Sequence, residues 1–141
     1  MDTSPTVPQE TPRSQNALLA IEHAPSADLL SDRLARSNVE VTQVRDGETA
    51  RETLAEVPVG ILVAEARLPG RTGMELLRLL PPLDPPIILL GRRGNDDEII
   101  RAYEQGAVGY ITRPFSPRVA AAQIRRFLTL RDAPTPESFA Q

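Results

Sequence analysis

Residues 87–118, IILLGRRGNDDEIIRAYEQGAVGYITRPFSPR, decide the fold. Ile87 to Leu90 form an unbroken apolar run, long enough for a strand and too short for a helix. Ile99, Ala102 and Tyr103 then recur at helical spacing, and Gly106 ends that helix. Val108 to Thr112 read as a second strand, closed by Arg113 and Pro114. Strand, helix and strand in so few residues describe a crossover unit, in which the two strands lie parallel and the helix covers one face.

The same rhythm extends toward the N-terminus. Val59 to Ala64, VGILVA with Gly60 inside it, is nearly all apolar, as a strand covered on both faces should be. It opens onto Glu65 and turns through Pro69 and Gly70, and a helix runs from about Gly73 to Leu80 until PPLDPP forbids continuation. Val39 to Val44 is a further strand, followed by a turn at Asp46–Gly47 and a helical stripe at Ala50, Leu54 and Val57. Ala17 to Ile21 is the first strand; Ala27, Leu30 and Leu34 mark the first helix, with Ser26 as its N-cap. Ala120, Ile124 and Phe127 line the last helix. Five strands alternating with five helices give a (βα)5 doubly wound parallel sheet in a domain over residues 17–131. Residues 1–16 and 132–141, rich in Pro, Thr, Ser and Gln, read as a disordered leader and a flexible tail or linker. In such folds the site lies at the carboxyl ends of the strands. The residues to collect there are Glu22, His23, Glu65, Gly91, Arg92 and Arg113.

Composition narrows the function. The chain has 141 residues, 25% of them charged, with a formal net charge of -3 and no cysteine. The balance offers no basic excess for nucleic acid, and the longest apolar run is far short of a membrane span. The absence of cysteine removes disulfides and thiolate chemistry, and a cytoplasmic location fits. No nucleophile–base pair and no phosphate-cradling GxGxxG follows a strand, so an ordinary metabolic enzyme is not expected.

From Gly91 to Arg118 the chain resembles the receiver domain of two-component response regulators nearly position for position. LLAIEHAP falls where that family has its first strand and an acidic pair, and EARLPGRTG falls where it has the phosphoacceptor aspartate, a Pro-Gly turn and a glycine. The resemblance implies a flavodoxin-like (CheY-like) sheet of strand order 2-1-3-4-5. It places Glu65 at the phosphoacceptor position, Glu22 and His23 at the two acidic-pocket positions, Gly91 at the Thr/Ser position and Arg113 at the Lys position. Tyr110 takes the switch-aromatic position, with an inward ring expected because Gly91 leaves space beneath it, and the Arg113–Pro114 bond is expected to be cis.

None of the five signature residues is the usual one, which makes this an atypical member that lacks the aspartate. Magnesium wants oxygen ligands on a tight octahedron at about 2.0–2.1 Å. His23 removes one carboxylate and the two remaining acids are each a methylene too long, so no cofactor is expected and magnesium binding should be weak or absent. Glu65 as a nucleophile would carry its oxygen displaced by about 1.5 Å, and Gly91 supplies no hydroxyl for a phosphoryl oxygen. The reading favoured for Glu65 is a fixed charge paired with the planar fork of Arg113, with Arg92 nearby. On that reading the protein is an unphosphorylated pseudo-receiver acting through protein–protein contact. The alternatives are an unusual receiver that accepts phosphate from a histidine kinase, and a sensor of a small ligand or a metal other than magnesium.

The partner expected is a signalling protein or an effector domain, with a histidine kinase as one candidate. The surface formed by the fourth helix, fifth strand and fifth helix is a candidate homodimer face. Its residues would be Ile99, Arg101, Tyr110, Arg118, Val119, Ala122 and Gln123, with Val119 and Ala122 replacing the family's charged seam by a smooth apolar patch. Direct contact with nucleic acid or membrane is not expected.

Overall fold

A computed structural model describes residues 15–81 and 84–132. The expectations for 1–16 and 132–141 therefore lie outside the described residues except at their inner ends, where Asn16 opens the first strand and Asp132 closes the last helix. The elements follow one another as β1 (Asn16–Ala20), α1 (Ala24–Ala35), β2 (Glu40–Val44), α2 (Gly47–Glu56), β3 (Ile61–Glu65), α3 (Gly73–Leu79), β4 (Ile87–Arg92), α4 (Asp96–Glu104), β5 (Gly109–Arg113) and α5 (Pro117–Asp132). All neighbouring strands are parallel, in the order β2-β1-β3-β4-β5. This is the expected (βα)5 doubly wound sheet.

The period-2 alternation of the strands sorts their side chains between two cores. Leu19, Ile21, Val63, Ile88 and Leu90 face one way, where Leu30 and Leu34 of α1 and Ile124 and Leu128 of α5 cover them. Leu18, Leu62, Ala64 and Leu89 face the other way, under Ala50 of α2, Leu76 of α3 and Ala102 of α4. Each fully buried Leu or Ile contributes roughly 1.5–3 kcal/mol of apolar burial, which explains why β1, β3 and β4 are almost continuously aliphatic. The edge strand β2 instead exposes Glu40, Thr42 and Gln43, polar side chains that discourage pairing with another chain.

The helix starts are fixed by local chemistry. Asp46 accepts from the Thr49 amide at 2.8 Å and the Thr49 hydroxyl at 2.9 Å, and these bonds hold its carboxyl below the ordinary range. Thr72 and Glu75 form a reciprocal capping box on α3. One expectation is corrected here. The N-cap of α1 is His23 rather than Ser26. Pro25 occupies the first turn, where its missing N–H costs nothing, so the helix begins at Ala24 and Ser26 becomes a donor inside it, its amide 3.3 Å from His23 Nδ1.

Two glycines are required by close approach. A Cβ on Gly47 would run into the Arg71 carbonyl, and one on Gly73 would run into the Glu65 carbonyl and lie 2.9 Å from Leu89 Cδ2. The loop after β3 is thereby clamped between the starts of α2 and α3, with the Gly47 amide donating to the Pro69 carbonyl at 2.9 Å. That clamp positions the residues just beyond Glu65.

Candidate functional site

The carboxyl ends of β1, β3, β4 and β5 converge on Glu65. Its carboxylate is held from two sides. Oε2 lies 2.6 Å from Arg113 Nη2, and Oε1 accepts from the backbone N–H of Glu22 at 2.5 Å. The Nη2 hydrogens are not aligned for a hydrogen bond to Oε2, so the contact is a close Coulombic pair. The side chain of Glu65 is 13% exposed and that of Arg113 is 31% exposed, which shields the pair from most of the screening that weakens surface ion pairs. The Arg113–Pro114 peptide is cis.

The other acidic-pocket positions do not join Glu65 as ligands. Glu22 offers its amide, while its side chain is exposed. His23 is spent on capping α1, its Nδ1 2.7 Å from Ser26 Oγ. Arg92 lies beside Arg113 in the β4–β5 register, but it is exposed and has no ion pair among the described residues. Nor do three His, Cys, Asp or Glu side chains come together anywhere among the described residues. A hard divalent ion needs several free oxygens directed at one point. Here the one well-placed carboxylate is taken by an amide and a guanidinium, so the residues present do not fit magnesium.

On the opposite side of β4, the ring of Tyr110 lies over Gly91. A Cβ at Gly91 would overlap the Tyr110 hydroxyl and come within 2.9 Å of Cζ. The ring therefore fills space that a serine or threonine at position 91 would claim. The hydroxyl donates to Glu98 Oε1 at 2.7 Å. Glu98 is 7% exposed, the one polar or charged residue among the buried described residues. Its second oxygen lies 3.9 Å from Nε of Arg67, two residues beyond Glu65. A polar relay thus runs from β5 through α4 to the loop after β3.

Glu98 and Arg67 carry no role in the reading of the sequence, and of the helical stripe expected there Tyr103 is the member that does not face the sheet. Glu98 and Ala102 face the sheet, Ile99 is half-buried, and Tyr103 is 51% exposed together with Ile100 at 53%. The physical reason is Tyr110, whose inward hydroxyl needs an acceptor, and α4 turns a carboxylate rather than an aliphatic side chain to meet it. Of the residues proposed for a dimer face, Arg101 and Gln123 are exposed. Arg118, Val119 and Ala122 are exposed as well, but they line a groove shared with α1.

The relay has a pH signature. Burial first, then the hydrogen bond and charge of Glu98, push the Tyr110 phenol well above its ordinary value of 10.0, with Arg67 opposing weakly. The neutral phenol is favoured in the folded state, so the unfolded chain loses this proton at lower pH than the folded one. Stability from Tyr110 is full below about pH 10 and falls as pH rises beyond it. Denaturant midpoints measured across that range should decline more steeply for the native sequence than for Tyr110→Phe. Parallel curves would show that neither burial nor Glu98 raises the phenol.

A family model for the response regulator receiver domain matches residues 18–125. The chain belongs to that family. It is 30% identical over 115 residues to the phosphate regulon transcriptional regulatory protein PhoB of Pseudomonas aeruginosa, a match covering 79% of this chain and 50% of that protein. The corresponding protein of Klebsiella pneumoniae is 28% identical over 116 residues, covering 79% of this chain and 51% of that protein. The chain spans about half the length of these curated relatives. Among solved structures, the receiver domain of a signal transduction histidine kinase from Syntrophus aciditrophicus superposes with a TM-score of 0.75 at 24% identity, covering 86% of this chain and 96% of that one. A Francisella response regulator receiver domain gives 0.77 at 19% identity, covering 83% and 98%. Those two likenesses establish the fold alone. As a receiver domain, the chain is a signalling module of the two-component type rather than an enzyme, and no helix among its described residues is long and apolar enough to cross a membrane.

Proposed function

We propose that this receiver works without phosphoryl transfer, its pocket filled by its own side chains, and that it signals through protein–protein contact. The observation that supports this reading is the double engagement of Glu65, by Arg113 on one oxygen and by the Glu22 amide on the other. Phosphoryl transfer needs an aligned nucleophile and cations to neutralise the equatorial oxygens. Both oxygens of Glu65 are engaged within the chain and, among the described residues, no second carboxylate stands beside it to share a metal, and at Gly91 the hydroxyl that would receive an oxygen is replaced by the Tyr110 ring. The fixed charge at Glu65 and the inward Tyr110 together hold one arrangement of the switch region. A glutamate brings one negative charge where an acyl phosphate brings nearly two, so the imitation is partial.

The partner proposed is another signalling protein, as befits a member of the response regulator receiver family. The apolar Ile100 and Tyr103 on the outer side of α4 are available for such contact.

Intact mass spectrometry after incubation with acetyl phosphate and magnesium tests the reading. The expected result is an unchanged mass, both for the native chain and for Arg113→Lys. An added phosphoryl mass that maps to Glu65 would overturn the proposal.

A further inference from the structure

The chain is net negative at -3, yet α1 and α5 build a groove between them lined by Arg33, Arg36, Arg118 and Arg125. Arg36 is offset by Asp32 at 2.9 Å, an exposed pair within one helix. Arg33, Arg118 and Arg125 have no ion pair among the described residues. Four guanidinium groups facing one groove repel one another, and a single carboxylate does not balance them. The glutamate-bearing pocket at Glu65 plays no part in this, since Arg113 is absent from the groove lining.

Spacing and shape narrow the occupant. Arg118, Ala122 and Arg125 follow each other at i, i+4 and i+7 along α5, and Arg33 stands in the last turn of α1, three residues before its C-cap Arg36. The rows therefore run along the helix axes, and the α5 row spans about 10 Å, or two turns. The same groove is lined by Val119, 59% exposed, and by the exposed Ala122. Small side chains flanked by rows of charge let a third helix approach closely. Arginine adds a fork that meets a carboxylate with two parallel bonds. Nucleic acid fits less well: among the described residues the groove has no aromatic side chain in its lining on which a base could stack, and the net charge of the chain opposes a polyanion of larger extent.

We propose that the α1–α5 groove is a docking site for an acidic amphipathic helix of a partner protein, its carboxylates on the arginine rows and its small apolar side chains over Val119 and Ala122. This surface is independent of whether Glu65 is phosphorylated.

The test uses the full chain and a fluorescently labelled helical peptide of about four turns, with alanine and leucine on one face and glutamate along both flanks. Anisotropy should show saturable binding that weakens with salt, and a peptide with lysine in place of glutamate should not bind. Arg118→Gln/Arg125→Gln should weaken binding about tenfold or more, whereas Arg45→Gln/Arg51→Gln, exposed cations outside the groove lining, should leave it unchanged. Amide chemical shifts of the native chain should move at residues 33–37 and 118–125. Equal affinity for the acidic and lysine peptides, equal losses in the two double variants, or shifts confined to other residues would overturn the proposal. So would a single-stranded oligonucleotide of matching charge that binds more tightly than the acidic peptide.

Discussion

Replacing Arg113 with alanine will destabilise the folded chain by about 2 kcal/mol, and the loss will shrink when Glu65 is replaced as well. Removing one partner of a fully buried ion pair costs about 3–5 kcal/mol, because the remaining charge is left out of water without compensation. Glu65 is close to that limit at 13% exposed, while Arg113 retains contact with solvent at 31%, so the smaller figure applies. The Glu22 amide will continue to hold one oxygen of Glu65 at its present 2.5 Å, which further limits the damage. Glu65→Gln keeps the shape and removes the charge. A cycle of Glu65→Gln, Arg113→Gln and the double variant, followed by urea denaturation, should give a coupling of about 1–2 kcal/mol. Single losses that add without coupling would show that the two side chains are neighbours and nothing more, and the proposed lock would have no energetic basis.

Replacing Gly91 with threonine will expel Tyr110 from its place over β4. The new Cβ would collide with the ring near its hydroxyl, and the end of a tyrosine moves more easily than the strand beneath it. Glu98 would then lose its donor while remaining 7% exposed, with only Arg67 at 3.9 Å to answer its charge. A buried polar group deprived of its partner costs about 1–3 kcal/mol. Near-ultraviolet circular dichroism should lose a tyrosine signal, and the alkaline decline in stability described above should flatten to that of Tyr110→Phe. An unmoved ring in a structure of Gly91→Thr would end this account of the switch. Gly91→Ala should act in the same direction, since the Cβ itself makes the collision.

The sheet was legible because its evidence is one-dimensional. Ile61 to Ala64 and Ile87 to Leu90 are buried on both faces, and nothing but a covered parallel strand tolerates such runs so close to turn residues. The convergence of Glu65 and Arg113 was also accessible, since the end of a strand fixes where a long side chain starts. The orientation of α4 was not. Periodicity assigns a carboxylate to the solvent side, and Glu98 faces inward for a tyrosine twelve residues away in sequence. His23 was hidden for a similar reason: an imidazole is an uncommon N-cap, and its acceptor role emerges only once Pro25 has set where α1 begins. On α5 the run Ala120-Ala121-Ala122 is apolar on every side. Such a run does not encode rotation about the helix axis, and the groove that Val119 and Ala122 line beside α1 could not be read from it.

The pair between Glu65 and Arg113 is made of side chains, and this alters how a signal from the domain would be timed. An acyl phosphate is a clock: it is written by a donor, decays by hydrolysis, and lets a cell forget. A carboxylate and a guanidinium encoded in the chain have no such decay. On the reading proposed for this receiver, its output rises with synthesis, dilutes with growth and ends with proteolysis. The quantity that a cell would regulate is then the number of copies of the molecule, not the fraction of them that is switched.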